Sequence, residues 1–280
     1  MTQKTPPLIT IETAKKLLKG NNRVSLDLGL SETTIKTINT TYWLNSMEFI
    51  DRKTLEKIAQ DARSIYFVKN KAVYQAAISG KHFIKLAKTS GAPTIEIDGI
   101  RMHRTKNTSP DRDAVKKTST LGLCGGRVLD TCMGLGYTAI QAHMCGAKYV
   151  VTLEFEPNVI RLAQLNPWSI KLFNETTIYK MIGDSFYLID SLPSHHFDYI
   201  IHDPPRHSSA GHLYGSDFYK KLARVIKPGG RLFHYTGEPR SRYRGVNFHR
   251  GIIERLGTVG FTDVEYHPRI MGVTCMFGTV

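Results

Sequence analysis

VLDTCMGLGYTAI, residues 128–140, puts a short apolar strand ending in Asp130 in front of a glycine-containing turn and the start of a helix. Gly134 and Gly136 admit backbone conformations, and a closeness of ligand approach, that a side chain would obstruct. The stretch gains weight from Glu154, which ends the next strand 24 positions after Asp130. A carboxylate there can accept hydrogen bonds from both hydroxyls of a ribose. Gly183 and Asp184 end a third strand, from which a carboxylate can face an adenine edge.

Outward from this stretch, strands and helices alternate, which predicts a mainly parallel sheet with helices on both faces. Strands are expected at Arg127–Asp130, Tyr149–Glu154, Thr177–Ile182, Phe197–His202, Arg231–Tyr235, Val264–His267 and Val273–Phe277. A short turn around Pro268–Gly272 makes the last two antiparallel. Pro157 suits a first helical position, and Ser216 the cap of a helix carrying Phe218, Leu222 and Val225 that Lys227–Gly230 should stop. The fold class is therefore α/β: a Rossmann-like seven-stranded, mainly parallel sheet with an antiparallel last strand.

The fourth of these strands runs into FDYIIHDPPR, residues 197–206, where two prolines forbid continuation of strand or helix and leave Asp203 at a strand end. Ligands of open α/β sheets bind beyond the carboxyl ends of strands, so Asp203 is a site candidate by position, or a turn cap.

Residues before about Thr105 read as a small α+β unit without a glycine loop. Helices are expected at Ile11–Leu18 and Arg52–Arg63, and strands at Val24–Leu28, within Thr33–Leu44, and at Ile65–Val68, Ala72–Ala77 and Thr94–Ile97. Lys69, Lys71, Lys81, Lys85 and Lys88 punctuate this region as a phosphate-facing surface or a solvated one. His103–Lys117 is polar and broken by Pro110, a linker or a segment folding over a cofactor, with Ser109 or Asp111 as the helix cap. The expected domains are 1–105, a candidate RNA-binding unit, and 106–280.

Among the 280 residues, 38 Lys and Arg against 24 Asp and Glu leave a formal charge of +14, which favours a polyanionic partner. Cys124, Cys132, Cys145 and Cys275 form no CxxC pair, so neither a zinc site nor a disulfide framework is expected. No apolar run reaches the roughly 18 residues of a membrane span and no signal peptide is apparent, which predicts a cytoplasmic protein without membrane association.

The chain from about Thr105 resembles a class I S-adenosylmethionine-dependent methyltransferase. The Asp130 loop resembles that family's first motif, Glu154 its ribose-binding acid, Asp184 its adenine-side acid and Asp203–Arg206 its catalytic fourth motif, and Glu154 and Asn166 keep its acid-to-Asn spacing. DTCMGLGYTA, HDPPR and GGRLFHYTGEP together resemble, more narrowly, an archaeal group of predicted methyltransferases with this DPPR motif. The resemblance implies S-adenosyl-L-methionine as cofactor, S-adenosyl-L-homocysteine as product and no metal. Cofactor contacts are expected from Asp130, Cys132, Gly134, Gly136, Tyr137, Glu154, Asp184 and Asp203. Cys132 stands where the family usually has glycine, and Arg206 where amino-group methyltransferases commonly have an aromatic residue; Arg206 or Tyr214 could stack on a base.

Asp203, Pro204, Pro205 and Arg206 are the expected catalytic stretch. The Asp203 carboxylate and the Pro204 carbonyl can accept the two hydrogens of an exocyclic amine and direct its lone pair at a methyl group. Substrate contacts are expected from His202, His207 and Tyr214, and from Arg240, Arg242, Tyr243 and Arg244 in RSRYRGVNFHR, residues 240–250. The leading expectation is N-methylation of cytosine N4 or guanine N2 in RNA, ribosomal before transfer RNA. Aminopropyl or methyl transfer to a small amine, as in polyamine synthases, and non-catalytic RNA binding are the alternatives.

Overall fold

The computed structural model describes residues 5–237 and 248–278. Contacts divide the chain into two units, Met1–Arg112 with Asn158–Asn174, and Asp113–Pro157 with Glu175–Val280.

The second unit is built on a seven-stranded sheet. Its order is Ile178–Ile182, Tyr149–Glu154, Arg127–Asp130, Phe197–His202, Ile226–Tyr235, Gly272–Phe277, Phe261–His267. Neighbours pair in parallel except around Gly272–Phe277, which is antiparallel to both strands beside it. Val128, Leu129, Ile200, Ile201, Leu232 and Phe233 are all buried, the continuous apolar run of strands covered on both faces. Phe218, Leu222, Leu256 and Phe261 join the same core. Asp130 pairs in register with Thr152 on one side and Ile201 on the other. Asp130, Glu154 and Asp203 therefore emerge at one edge of the sheet, at the crevice where the strand order reverses.

Several local expectations are corrected. The helix Ser216–Val225 is capped by Gly215, which has extended geometry, so Ser216 is its first residue rather than its cap. It ends at Val225, and Lys227–Gly230 lies inside the strand Ile226–Tyr235, where the pairing slips between Phe197–Ile226 and Tyr199–Arg231. Pro and Gly mark an irregularity in a strand as readily as a helix stop. Pro157 does open the helix Pro157–Leu165.

The helix Pro110–Leu121 begins inside the expected linker. Neither proposed cap acts as one: the buried Ser109 hydroxyl has no hydrogen-bond partner among the described residues, and Asp111, already helical, accepts the Ala92 N–H at 3.0 Å.

The first unit is α+β. Ile9, Leu17, Tyr42, Leu55 and Val68 form its core, under helices Ile11–Leu18 and Arg52–Ile58 that are capped by Thr10 and Asp51. Tyr66–Lys69 pairs with Leu8–Ile9 and Ala72–Gln75, and Phe83–Ala87 lies between Thr94–Ile97 and Ala77–Ser79. The strand expected at Val24–Leu28 stops at Val24, because Ser25 and Asp27 bind the backbone of Gly29 and Ser31 and turn the chain. Asn166, in this unit, is a buried cap that accepts the Trp168 N–H at 3.2 Å and donates to the Ser169 hydroxyl at 2.7 Å.

Candidate functional site

At the sheet edge the glycine turn is built by its neighbours. Gly136 has φ of 78° and opens the helix Tyr137–Met144, and Gly134 has φ of 53°; both values lie in the left-handed region that glycine enters without strain. The Gly134 N–H donates to Glu154 Oε2 at 2.8 Å, and the Glu156 N–H to Oε1 at 2.9 Å. Each carboxylate oxygen keeps a further lone pair, so Glu154 both pins the turn and can accept hydroxyls. Burial, opposed by these backbone N–H groups, pushes its carboxyl up to about 7.

Asp130 is fully buried. Its Oδ2 accepts the Thr152 hydroxyl at 2.8 Å, while Oδ1 has no hydrogen-bond partner among the described residues. Burial, resisted by Thr152, pushes this carboxyl too up to about 7. Beside it, burial followed by the Asp130 and Glu154 charges raises the Cys132 thiol well above its ordinary range, so it stays a neutral loop side chain. Tyr137 is buried at the helix start.

Asp184 caps the following short helix, its Oδ1 accepting the Phe186 N–H at 2.8 Å and lying 3.4 Å from His212 Nε2. Two apolar side chains stand in solvent next to these acids, Phe155 at 68 % and Ile182 at 59 % exposure. Large apolar groups left open at strand ends beside hydroxyl-binding carboxylates suit the faces of an adenine ring.

Asp203 does not stand alone. Lys117, on the helix Pro110–Leu121, donates to Asp203 Oδ2 at 2.6 Å and to Asp113 Oδ2 at 2.8 Å one helical turn away. Side-chain exposures are 6 % for Lys117, 4 % for Asp113 and 21 % for Asp203. The Lys117 ammonium lies 5.8 Å from the Phe233 ring centre and 5.2 Å from that of Tyr235, within reach of their negative faces. Burial disfavours the ammonium, but Asp203 and Asp113 outweigh it and raise Lys117 above its ordinary range, so it is charged. Neither Lys117 nor Asp113 was singled out by the sequence reading; their only signal was an Asp–Lys pair four residues apart in a polar segment.

Buried rings hold the proline turn from below. The Tyr214 hydroxyl donates to the Pro205 carbonyl at 3.0 Å. His202 Nε2 donates to the Leu213 carbonyl at 3.0 Å, so Nδ1 is the acceptor for the Thr131 hydroxyl at 2.7 Å. Burial lowers His202 to about 3, which keeps it neutral. Its ring lies 4.4 Å from that of His234, which meets the Tyr219 hydroxyl at 2.7 Å. The structure thus places His202 and Tyr214 inside, supporting the turn, whereas Arg206 and His207 are exposed at the start of the short helix His207–Ala210. Arg240, Arg242, Tyr243 and Arg244 lie outside the described residues.

Together the open glycine turn, the spare acceptor positions of Glu154, the orphaned Asp130 oxygen and the exposed Phe155 fit an adenosine with a cationic tail, the chemistry of S-adenosylmethionine. Among the described residues no cluster of three His, Cys, Asp or Glu could hold a metal, and no helix is long and apolar enough to cross a membrane.

Known proteins share this architecture. Residues 94–230 match the family model described as conserved hypothetical protein 95. A crystal structure of a spermidine synthase in complex with the transition-state analogue AdoDATO superposes with a TM-score of 0.54 at 14 % identity, over 74 % of this chain and 76 % of that one. Polyamine aminopropyltransferase 2 of Streptomyces coelicolor is 31 % identical over 117 residues, 40 % of this chain and 21 % of that protein. The uncharacterized protein MJ1233 of Methanocaldococcus jannaschii is 49 % identical over 223 residues, covering 79 % of this chain and 76 % of that protein. With that identity over that length, the chain belongs to the family of MJ1233, on a fold shared with spermidine synthases.

Proposed function

We propose that this protein is an S-adenosylmethionine-dependent methyltransferase that modifies an exocyclic amine of a base in RNA, cytosine N4 or guanine N2, with ribosomal RNA favoured. The observation that carries the reading is the Lys117–Asp203 pair. On that carboxylate, the position an aliphatic ammonium would take is held at 2.6 Å by a buried lysine. A neutral amine needs only an acceptor, and an ion-paired carboxylate still is one. The charge of +14 supports RNA over a cationic small molecule.

S-adenosylmethionine would supply an activated methyl on its sulfonium, so the protein's task is to hold and aim the nucleophile. Tyr214 engages the Pro205 carbonyl, which leaves the Pro204 carbonyl as the turn's acceptor for one amine hydrogen. Asp203 accepts the other and stabilises the positive charge that develops on nitrogen. Pro204 and Pro205, fixed in φ, hold this geometry without rearrangement.

The similarity to polyamine aminopropyltransferase 2 supports a second reading, aminopropyl transfer to a small amine. Purified protein incubated with total RNA and methyl-labelled S-adenosylmethionine, or with polyamines and decarboxylated S-adenosylmethionine labelled in its aminopropyl group, separates the two. Label is expected in RNA, and digestion to nucleosides should place it on a methylated cytidine or guanosine; label confined to polyamines would sink the proposal.

Cofactor affinity should depend on Glu154 and on pH. Glu154→Ala removes the ribose acceptor and frees the turn, and should weaken binding by about 10–100-fold. Burial raises both Glu154 and Asp130 to about 7, and a bound cation favours their ionised forms. Affinity should therefore rise between about pH 6 and 8, with protons released on binding. Calorimetry in buffers of different ionisation heat reads both; a flat pH profile with no proton release contradicts the assignment.

A further inference from the structure

A cleft of about 400 Å³ opens in the first unit, lined entirely by residues of that unit. It brings together Lys16, Lys88 and Arg112, two carboxylates and the Trp168 ring. Both carboxylates are already engaged: Glu12 pairs with Lys88, and Asp111 Oδ1 accepts the Ala92 N–H at 3.0 Å. The Lys16 and Arg112 side chains are exposed and make no ion pair or hydrogen bond with another described residue. Positive charge is what the cleft has to offer a ligand.

Trp168 is held in place before any ligand arrives. Its indole N–H donates to the Leu28 carbonyl at 3.2 Å, its backbone N–H to Asn166 Oδ1 at 3.2 Å, and Pro167 precedes it. A half-buried ring fixed at both ends costs little further ordering when something stacks on it. The turn at Gly91 is closely packed as well: the Thr89 hydroxyl donates to the Ala92 carbonyl at 2.7 Å, and a Cβ on Gly91 would come within 2.6 Å of Asp111 Oδ1. Hydroxyl residues Thr10, Thr13, Ser25, Thr89 and Ser90 also line it.

We propose that this cleft binds a nucleotide of a single-stranded RNA segment, its phosphate drawn by Lys16 and Arg112 and its base stacked on Trp168. The proposal rests on the RNA reading above and adds where the first unit holds that substrate. Unpaired cations beside a fixed indole suit phosphate and base together, since every base has a face to stack and every phosphate a charge to neutralise.

The test uses the full chain and a fluorescein-labelled single-stranded RNA of about 12 nucleotides, within the span one such binding surface covers. In a Trp43→Phe background, which leaves Trp168 as the only indole, RNA should quench the protein's fluorescence. Lys16→Gln with Arg112→Gln should weaken RNA binding about 10-fold or more and lower the slope of log K against log salt by about 1.4. Trp168→Ala should weaken it about 10-fold with the slope unchanged. Cofactor affinity and melting temperature should stay as in wild type for the double charge variant. If wild type binds and labels RNA but all these variants do so equally well, the cleft proposal falls and the methyl-transfer reading stands. RNA that wild type neither binds nor labels overturns both.

Discussion

Asp203→Asn should lower turnover by roughly 10²–10⁴-fold while cofactor affinity stays near wild type. The substitution keeps the shape of the side chain but removes the charge proposed to hold the amine and to offset the cation forming on nitrogen. It replaces one acceptor oxygen with a donor, which faces Lys117 or the substrate amine and satisfies neither. Single-turnover methylation of RNA, with cofactor binding followed separately, distinguishes this from damage to the glycine turn. Turnover equal to wild type would remove Asp203 from the reaction.

The largest effect on stability is expected at Lys117. Lys117→Met leaves Asp113 and Asp203, 4 % and 21 % exposed, without the ammonium that joins them. Breaking a buried ion pair from one side costs about 3–5 kcal/mol, since the remaining charge has neither water nor partner. A fall in melting temperature on the order of 10 °C follows for a chain of this size. Asp113→Asn combined with Lys117→Met should recover part of it, because it removes one of the two carboxylates left without the ammonium. A single variant as stable as wild type at pH 7 would show that the triad contributes no net stabilisation.

The sheet was legible because its cause is local. Apolar runs such as Val128–Leu129 and Ile200–Ile201 declare buried strands, and the carboxylates and glycines that follow them mark where the strands end. The antiparallel last strand followed from one short turn. What stayed hidden depends on which side chains meet. Asp113 and Lys117 sit in a hydrophilic stretch that reads as linker, and their burial comes from a helix packed within the second unit. Tyr214 looked like a stacking ring because composition does not say which way a tyrosine points; its hydroxyl is under the proline turn. Phe83–Ala87 was read only as part of a lysine-punctuated region, yet Ile84 and Leu86 alternate inward around Lys85. The Lys227–Gly230 break was seen at the right place and given the wrong meaning, since the same residues interrupt a helix or a strand.

The path of the chain between the two units limits how the protein can be taken apart. It passes from one unit to the other at Arg112–Asp113, returns at Pro157–Asn158 and leaves again at Asn174–Glu175. A cut near residue 105 would therefore give an N-terminal fragment without the segment that carries Trp168, and a C-terminal fragment with that segment stripped of its own unit. Neither piece could be grafted onto another sheet as a single cassette, so these units have to be inherited, and engineered, together.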